Sequence, residues 1–371
     1  MVKYTNYLVV FLVVFLFSCS GEKPSKEANE LFAEKGIDST QAALIFENTV
    51  GFPNNTQVSI ALVTDTMTYY VGVICRNDTI LSVRNQDAHF EIGSISKMMT
   101  ATLLADFVIR EKLSLQDSVS KFLPFQFEDS VEFTFGQLAN HTSGLPNVPT
   151  GMLFSSLLNM DNPYKNFDEN ALEKYFQEEM ALSSDPGESV SSSDLGYGLL
   201  GYSLEKVGEK PFSELMKKRV FIAYKLMNTT TQRDSVKNSL IPGLNAEGVS
   251  TANWDMAAMA GAGAVISTAE DLALFARAHC DTTDKVLALT RTGAFQEKDE
   301  NFEGMGWTLN RDQGKNKWYV QKGSTGGYTS SFVVDPIACN AVVILSNVSG
   351  SNPYADKIEE LCLQLMKSLQ K

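Results

Sequence analysis

Apolar positions along the chain fall into three patterns. The first is an unbroken run at 8–17, preceded by Lys3. It is too short to span a bilayer and suits the core of a signal peptide. The second is strand-like. Segments 58–63 and 68–73, split by a polar turn around Asp65, predict a hairpin, and 306–309, 318–320, 331–334 and 341–345 predict strands near the C-terminus. The third is helical. Residues 98–109 are apolar apart from Thr100, Thr102 and Asp106, which predicts a helix buried on most sides. From 100 to about 231 the pattern is mostly helical and loop-rich. A last helix is expected from Pro353 to about 369, with Ile358, Leu361, Leu365 and Met366 on one face. Strands at both ends with helices between predict an α/β (α+β) chain: an antiparallel sheet flanked by helices, built from both termini, with a mostly helical insertion at about 100–231.

The apolar run ends Leu16-Phe17-Ser18-Cys19, which resembles a bacterial lipobox. Residues 1–18 then read as a signal peptide, 19–40 as a tether and 41–371 as the folded domain. Lipid on the Cys19 sulfur would hold the mature chain to a bilayer at the periplasmic face or cell surface. The plainer alternative is an ordinary signal peptide followed by an incidental cysteine. The 371 residues carry a net charge of −13, and removing 1–18, which hold Lys3 and no acid, leaves the chain more acidic still. With no basic run, nucleic acid is excluded as a partner. Cys75, Cys280, Cys339 and Cys362 are far apart and show no C-x-x-C spacing, so neither zinc nor a redox motif is indicated. Export permits disulfides, but these four read as buried free thiols. His89, His141 and His279 are scattered. The chain contains no H-E-x-x-H, phosphate-binding loop, dinucleotide fingerprint or G-x-S-x-G.

The chemistry gathers where the apolar helix begins. Ser-x-x-Lys occurs five times, at Ser20, Ser94, Ser118, Ser203 and Ser368. Only the Ser94 copy follows a strand-like segment and a glycine and opens a long apolar helix. Ser94 and Lys97 then share one face at i and i+3, at the helix end where backbone N–H groups point outward. A serine attacks a carbonyl only if something takes its proton, and a desolvated lysine can do so. Ser94 is the expected nucleophile and Lys97 its base or proton relay.

Further segments follow in order: Gly136-Gln137-Leu138-Ala139-Asn140-His141-Thr142-Ser143-Gly144-Leu145-Pro146, then Ser192-Ser193-Asp194-Leu195-Gly196-Tyr197, then Gly261-Ala262-Gly263-Ala264-Val265-Ile266-Ser267-Thr268-Ala269-Glu270-Asp271-Leu272. Gly306-Trp307 and Gln321-Lys322-Gly323-Ser324-Thr325-Gly326-Gly327-Tyr328 complete the set. Together they resemble the serine β-lactamases and D-alanyl-D-alanine peptidases, in particular the class C-like branch with its related esterases. The resemblance runs from about Val58 to the last helix. It implies a β-lactamase/transpeptidase-like fold with no metal or organic cofactor, an acyl-enzyme on Ser94, and an oxyanion hole from the backbone N–H groups of Ser94 and Ser324 beside Gly323. His141 is expected to hold its loop. Trp307 and Tyr328 could line a groove or belong to the core.

Two positions depart from that pattern. Ser192 stands where the branch has tyrosine, so Ser192-Ser193-Asp194 is similar to the S-x-N of other branches with Asp for Asn. Ser192 is read as a proton relay and Asp194 as orienting Lys97; the alternative makes Asp194 a cap for the following helix. Gln321 replaces a Lys or His often used to steer protons or hold a substrate carboxylate. Lys322 is next to it, but adjacent strand residues point to opposite faces. The expected activity is that of an exported serine hydrolase cleaving a D-amino-acid peptide, as a D-Ala-D-Ala carboxypeptidase would, or a small ester. The alternatives are a β-lactamase proper, which the two departures disfavour, and a catalytically weakened penicillin-binding-like sensor.

Overall fold

The computed structural model describes residues 36–150, 152, 162–292, 302–312 and 316–370. The apolar run at 8–17, Cys19 and most of the expected tether lie outside these residues. Eight strands form one antiparallel sheet in the order β3-β2-β1-β10-β9-β8-β7-β6. Its first part is β1 (Gln57–Val63), β2 (Thr68–Arg76) and β3 (Thr79–Val83). The rest comes from the far end of the chain: β6 (Phe302–Gly304), β7 (Trp307–Asp312), β8 (Asn316–Ser324), β9 (Thr329–Asp335) and β10 (Asn340–Ser346). The seam between the halves is β1 against β10, with Ile60 opposite Ile344. Both are central strands buried on both faces, which accounts for their continuous apolar runs.

The two faces bury different layers. Val58, Ile60, Leu62, Val333 and Ile344 face the helices α1 (Ser39–Thr49) and α5 (Asp356–Ser368), where Ile358, Leu361, Leu365 and Met366 supply the apolar stripe. Ala61, Val63, Phe332, Val334 and Val343 face the larger core, built with α2 (Ser96–Ile109), α3 (Asp194–Gly208) and α4 (Ala269–Ala278). Helix α2 is apolar all round because it is enclosed all round: every residue from Ser96 to Phe107 is buried. At about 1.5–3 kcal/mol for each large apolar side chain, this burial is a main source of stability. The polar interruptions have partners, although Asp106 Oδ2 accepts no hydrogen bond among the described residues and lies 3.8 Å from Arg219 Nε. Thr100 Oγ1 donates to Gly261 O at 2.7 Å, Thr102 Oγ1 to Met98 O at 2.8 Å, and Asp106 meets Arg110 at 2.7 Å.

Three expectations change. Strand β2 extends to Arg76 and turns into β3, which the sequence pattern did not indicate. Asn77 and Asp78 make that tight turn, both at positive φ, as a two-residue hairpin loop requires. Helix α5 begins at Asp356 rather than at Pro353, because 352–355 is held as a turn in which Asn352 Oδ1 accepts the Tyr354 N–H. The four cysteines are not all free thiols. Cys280, just past α4, is bonded to Cys339 in the turn between β9 and β10, because packing α4 against the sheet brings two distant positions together. Cys75 and Cys362 are free and buried, and burial pushes both thiols up to about 12.

Candidate active site

A short strand, β4 (Phe90–Glu91), leads into the Ser94 turn. It pairs with β5 (Ile266–Ser267), and Ile92 N donates to Val265 O at 3.2 Å while Val265 N donates to Ser96 Oγ at 3.1 Å. The segment 261–272 therefore braces the turn from one side. The sheet braces it from the other: Ser330 Oγ on β9 donates to Ile92 O at 2.9 Å. Gly93 has φ +51°, and a Cβ there would lie 2.6 Å from Ser324 N. A Cβ on Gly323 would lie 2.1 Å from Ile92 O and 2.8 Å from Ser94 N. The end of β8 and the Ser94 turn thus approach backbone to backbone, a packing that only glycine allows. This juxtaposition sets the Ser94 and Ser324 peptide units side by side.

Ser94, Lys97, Ser192, Gln321, Gly323 and Ser324 all line one cavity of about 450 Å³. Lys97 is 97% buried, and its Nζ lies 2.7 Å from Asp194 Oδ1. Tyr164 OH donates to the other carboxylate oxygen of Asp194 at 3.1 Å, and the Tyr197 ring lies 5.7 Å from the ammonium. Ser193, not Asp194, caps α3: its hydroxyl accepts the Gly196 N–H at 2.9 Å. This frees the Asp194 side chain, in the first turn, to reach Lys97. Tyr164 escaped the sequence reading because nothing around it carries a motif. The fold alone brings it to Asp194.

The other Ser-x-x-Lys copies among the described residues have ordinary partners. Ser118 hydrogen-bonds Glu132 while Lys121 pairs with Asp117, and Ser203 donates to Leu199 O while Lys206 pairs with Glu169. Gln321 Nε2 donates to Gly306 O at 2.9 Å; Lys322, although its neighbour along the strand, also lines the cavity, and its Nζ reaches Glu359 on α5 at 3.0 Å. Trp307 and Tyr328 are 2% and 1% exposed. Trp307 Nε1 donates to Thr290 Oγ1 and Tyr328 OH donates to Ile241 O, so both are held in the core, and Trp307 also lines the cavity.

His141 also lines the cavity, at positive φ, yet its ring is committed to structure. Nδ1 accepts the Ser193 N–H at 3.1 Å and the ring packs on Tyr197, fixing the loop that carries Ser192. Burial, and then the nearby Lys97 charge, hold its imidazole down at about 3. Burial also holds His279 well below its ordinary value and lowers His89. The unfolded chain takes up protons on these rings near pH 6.5 and the folded chain does not. Their contribution to stability is therefore complete above about pH 6.5 and is lost as pH falls toward the depressed folded values. Asp271 and Glu91, raised by burial, act with the opposite sign. Unfolding free energy should fall by up to about 1.4 kcal/mol per pH unit for each strongly depressed ring. Denaturant melts of wild type and His141→Asn between pH 7.5 and 4.5 check this: the variant should show the shallower slope.

A family model described as Beta-lactamase matches residues 62–365. The chain is 26% identical over 269 residues to Beta-lactamase-like protein 2 of Dictyostelium discoideum, covering 65% of this chain and 44% of that protein. It is 34% identical over 142 residues to a Beta-lactamase of Providencia stuartii, covering 38% and 33%. It is 23% identical over 311 residues to the D-alanyl-D-alanine-carboxypeptidase/endopeptidase AmpH of Escherichia coli (strain K12), covering 76% and 78%. The chain thus spans less than half the length of the first two. Among solved structures, a Beta-Lactamase/D-Alanine Carboxypeptidase from Pseudomonas syringae superposes with a TM-score of 0.74 at 21% identity, over 93% of this chain and 100% of that one. A class C beta-lactamase gives 0.71 at 19%, over 85% and 91%. These likenesses establish the shared fold: an antiparallel sheet between helical layers.

Proposed function

The chain belongs to the Beta-lactamase family, and from that we propose that it is an exported serine hydrolase acting through an acyl-enzyme on an amide or ester carbonyl. The observation that carries this reading is the convergence of Ser94, Lys97, Ser192 and Ser324 on one cavity, with Lys97 seated on Asp194. Ser94 Oγ attacks the carbonyl carbon as the Lys97 ammonium, held on Asp194, passes a proton through the Ser192 hydroxyl to the leaving group and takes up the Ser94 proton in its place. The backbone N–H groups of Ser94 and Ser324 take the oxyanion, fixed donors worth roughly 3–4 kcal/mol each in the transition state. Ser192 relays a proton to the leaving group, and water releases the acyl group. D-amino-acid peptides and small esters are the substrate classes this reading favours. The replacements at Ser192 and Gln321 support slow rather than rapid turnover of β-lactams.

A fluorescent fluorophosphonate and a fluorescent β-lactam, with wild type beside Ser94→Ala, test it. Stable labelling that Ser94→Ala abolishes is expected. Rapid β-lactam turnover would mark a β-lactamase proper, and absence of any label a binding or sensor protein.

The apolar run at 8–17, the Leu16-Phe17-Ser18-Cys19 stretch and the Cys280–Cys339 bond support export to an oxidising compartment and anchoring through a lipidated Cys19. Mass spectrometry of the mature chain should find lipid on an N-terminal Cys19. An unmodified Cys19, or cleavage elsewhere, rejects the anchor.

A further inference from the structure

The wall of the cavity formed by β8 and the start of α5 has an unusual charge. The two ammonium groups lining the cavity each already face a carboxylate: Lys97 faces Asp194, and Lys322 faces Glu359 at 3.0 Å. Gln321 adds no charge, and its amide is turned to the Gly306 carbonyl. The first turn of α5 closes this wall with Asp356 as well as Glu359. One ammonium therefore stands against two carboxylates there. A helix N-terminus ordinarily attracts an anion, but the first turn of this one already carries the negative charges of Asp356 and Glu359. The Lys322 side chain is largely exposed, so its pair with Glu359 is weak and can open. Opening leaves Glu359 facing the cavity and the sum of charges unchanged.

From this arrangement we infer that the part of the substrate lying against the β8–α5 wall is uncharged or carries an ammonium group, and that a carboxylate there is rejected. The inference rests on the serine-hydrolase reading and narrows it: esters, and amides without a terminal carboxylate, come ahead of peptides that end in one. An entering carboxylate would give up water to stand beside Asp356 and Glu359, which is how like charges discriminate against a ligand. Asp356 and Glu359 determine specificity through their charge and take no part in bond making.

Three aryl phosphonates that differ only in the leaving phenol, bearing a carboxylate, a carboxamide or an aminomethyl group, provide the test. In each, Ser94 Oγ bonds to phosphorus as the phenolate departs. Rates of Ser94 modification are read by mass spectrometry and divided by each probe's rate with hydroxide. The carboxamide and aminomethyl probes should exceed the carboxylate probe by about tenfold or more. Glu359→Gln removes one carboxylate and releases Lys322. It should raise the carboxylate probe by about tenfold and leave the carboxamide probe nearly unchanged, which separates the local wall from the chain's overall negative charge. Equal normalised rates for the three probes, or a Glu359→Gln effect common to all of them, overturn the inference and leave the hydrolase reading standing. Failure of Ser94 to react with any phosphonate, the neutral one included, overturns that reading and the inference with it.

Discussion

Lys97→Ala should slow covalent modification of Ser94 by roughly 10²–10⁴-fold, the usual loss when an acid–base partner is removed. Lys97 is one turn from Ser94 on a helix enclosed by the core, so nothing else can swing into its place without repacking α2. Its removal leaves Asp194 without the ammonium, but that carboxylate is 21% exposed and keeps the Tyr164 hydroxyl as a donor. The stability cost should therefore be about 1–3 kcal/mol, below that of stranding a fully buried charge. Labelling kinetics and a thermal melt separate the two effects. A folded Lys97→Ala protein that reacts as fast as wild type would remove Lys97 from the proton path.

Gly323→Ala should abolish labelling by a different route. The added methyl would lie 2.1 Å from Ile92 O and 2.8 Å from Ser94 N, and both neighbours are backbone. Neither can rotate aside, so the end of β8 or the Ser94 turn must move, and the N–H groups of Ser94 and Ser324 lose their shared aim. Overpacking of this kind costs about 1–3 kcal/mol, enough to lower the melting temperature measurably. Lys317→Ala, at an exposed position on the same strand, should leave both labelling and melting unchanged. Wild-type labelling by Gly323→Ala would show that the close approach has no part in the chemistry.

How far the sequence could be read depends on the range of the interaction behind each element. The strands around Ile60 and Ile344 were legible because a run of β-branched and aliphatic residues states its own burial. The helix at Ser96–Ile109 was legible because it lacks a polar face. Strand β3 was missed because it is short and partly exposed, and its turn relies on Asn77 and Asp78 accepting positive φ. The ordered segments around Ser94, Ser192 and Gln321 marked the site's members through their resemblance to a family. They did not say how those members meet.

The sequence by itself determined which segments must be buried, which serine opens an enclosed helix, and which positions around it depart from the family's pattern. These follow from local periodicity and residue type, which are properties of neighbours in the chain. Only the tertiary structure decided that Asp194 pairs with Lys97 while Ser193 caps the helix, that Tyr164 braces Asp194, that Cys280 meets Cys339, and that Glu359 faces Lys322 across the cavity wall. Apart from the choice of cap, each joins residues far apart in sequence. Closing the sheet between β1 and β10 and packing helices on both its faces set those distances, and no local pattern carries that information.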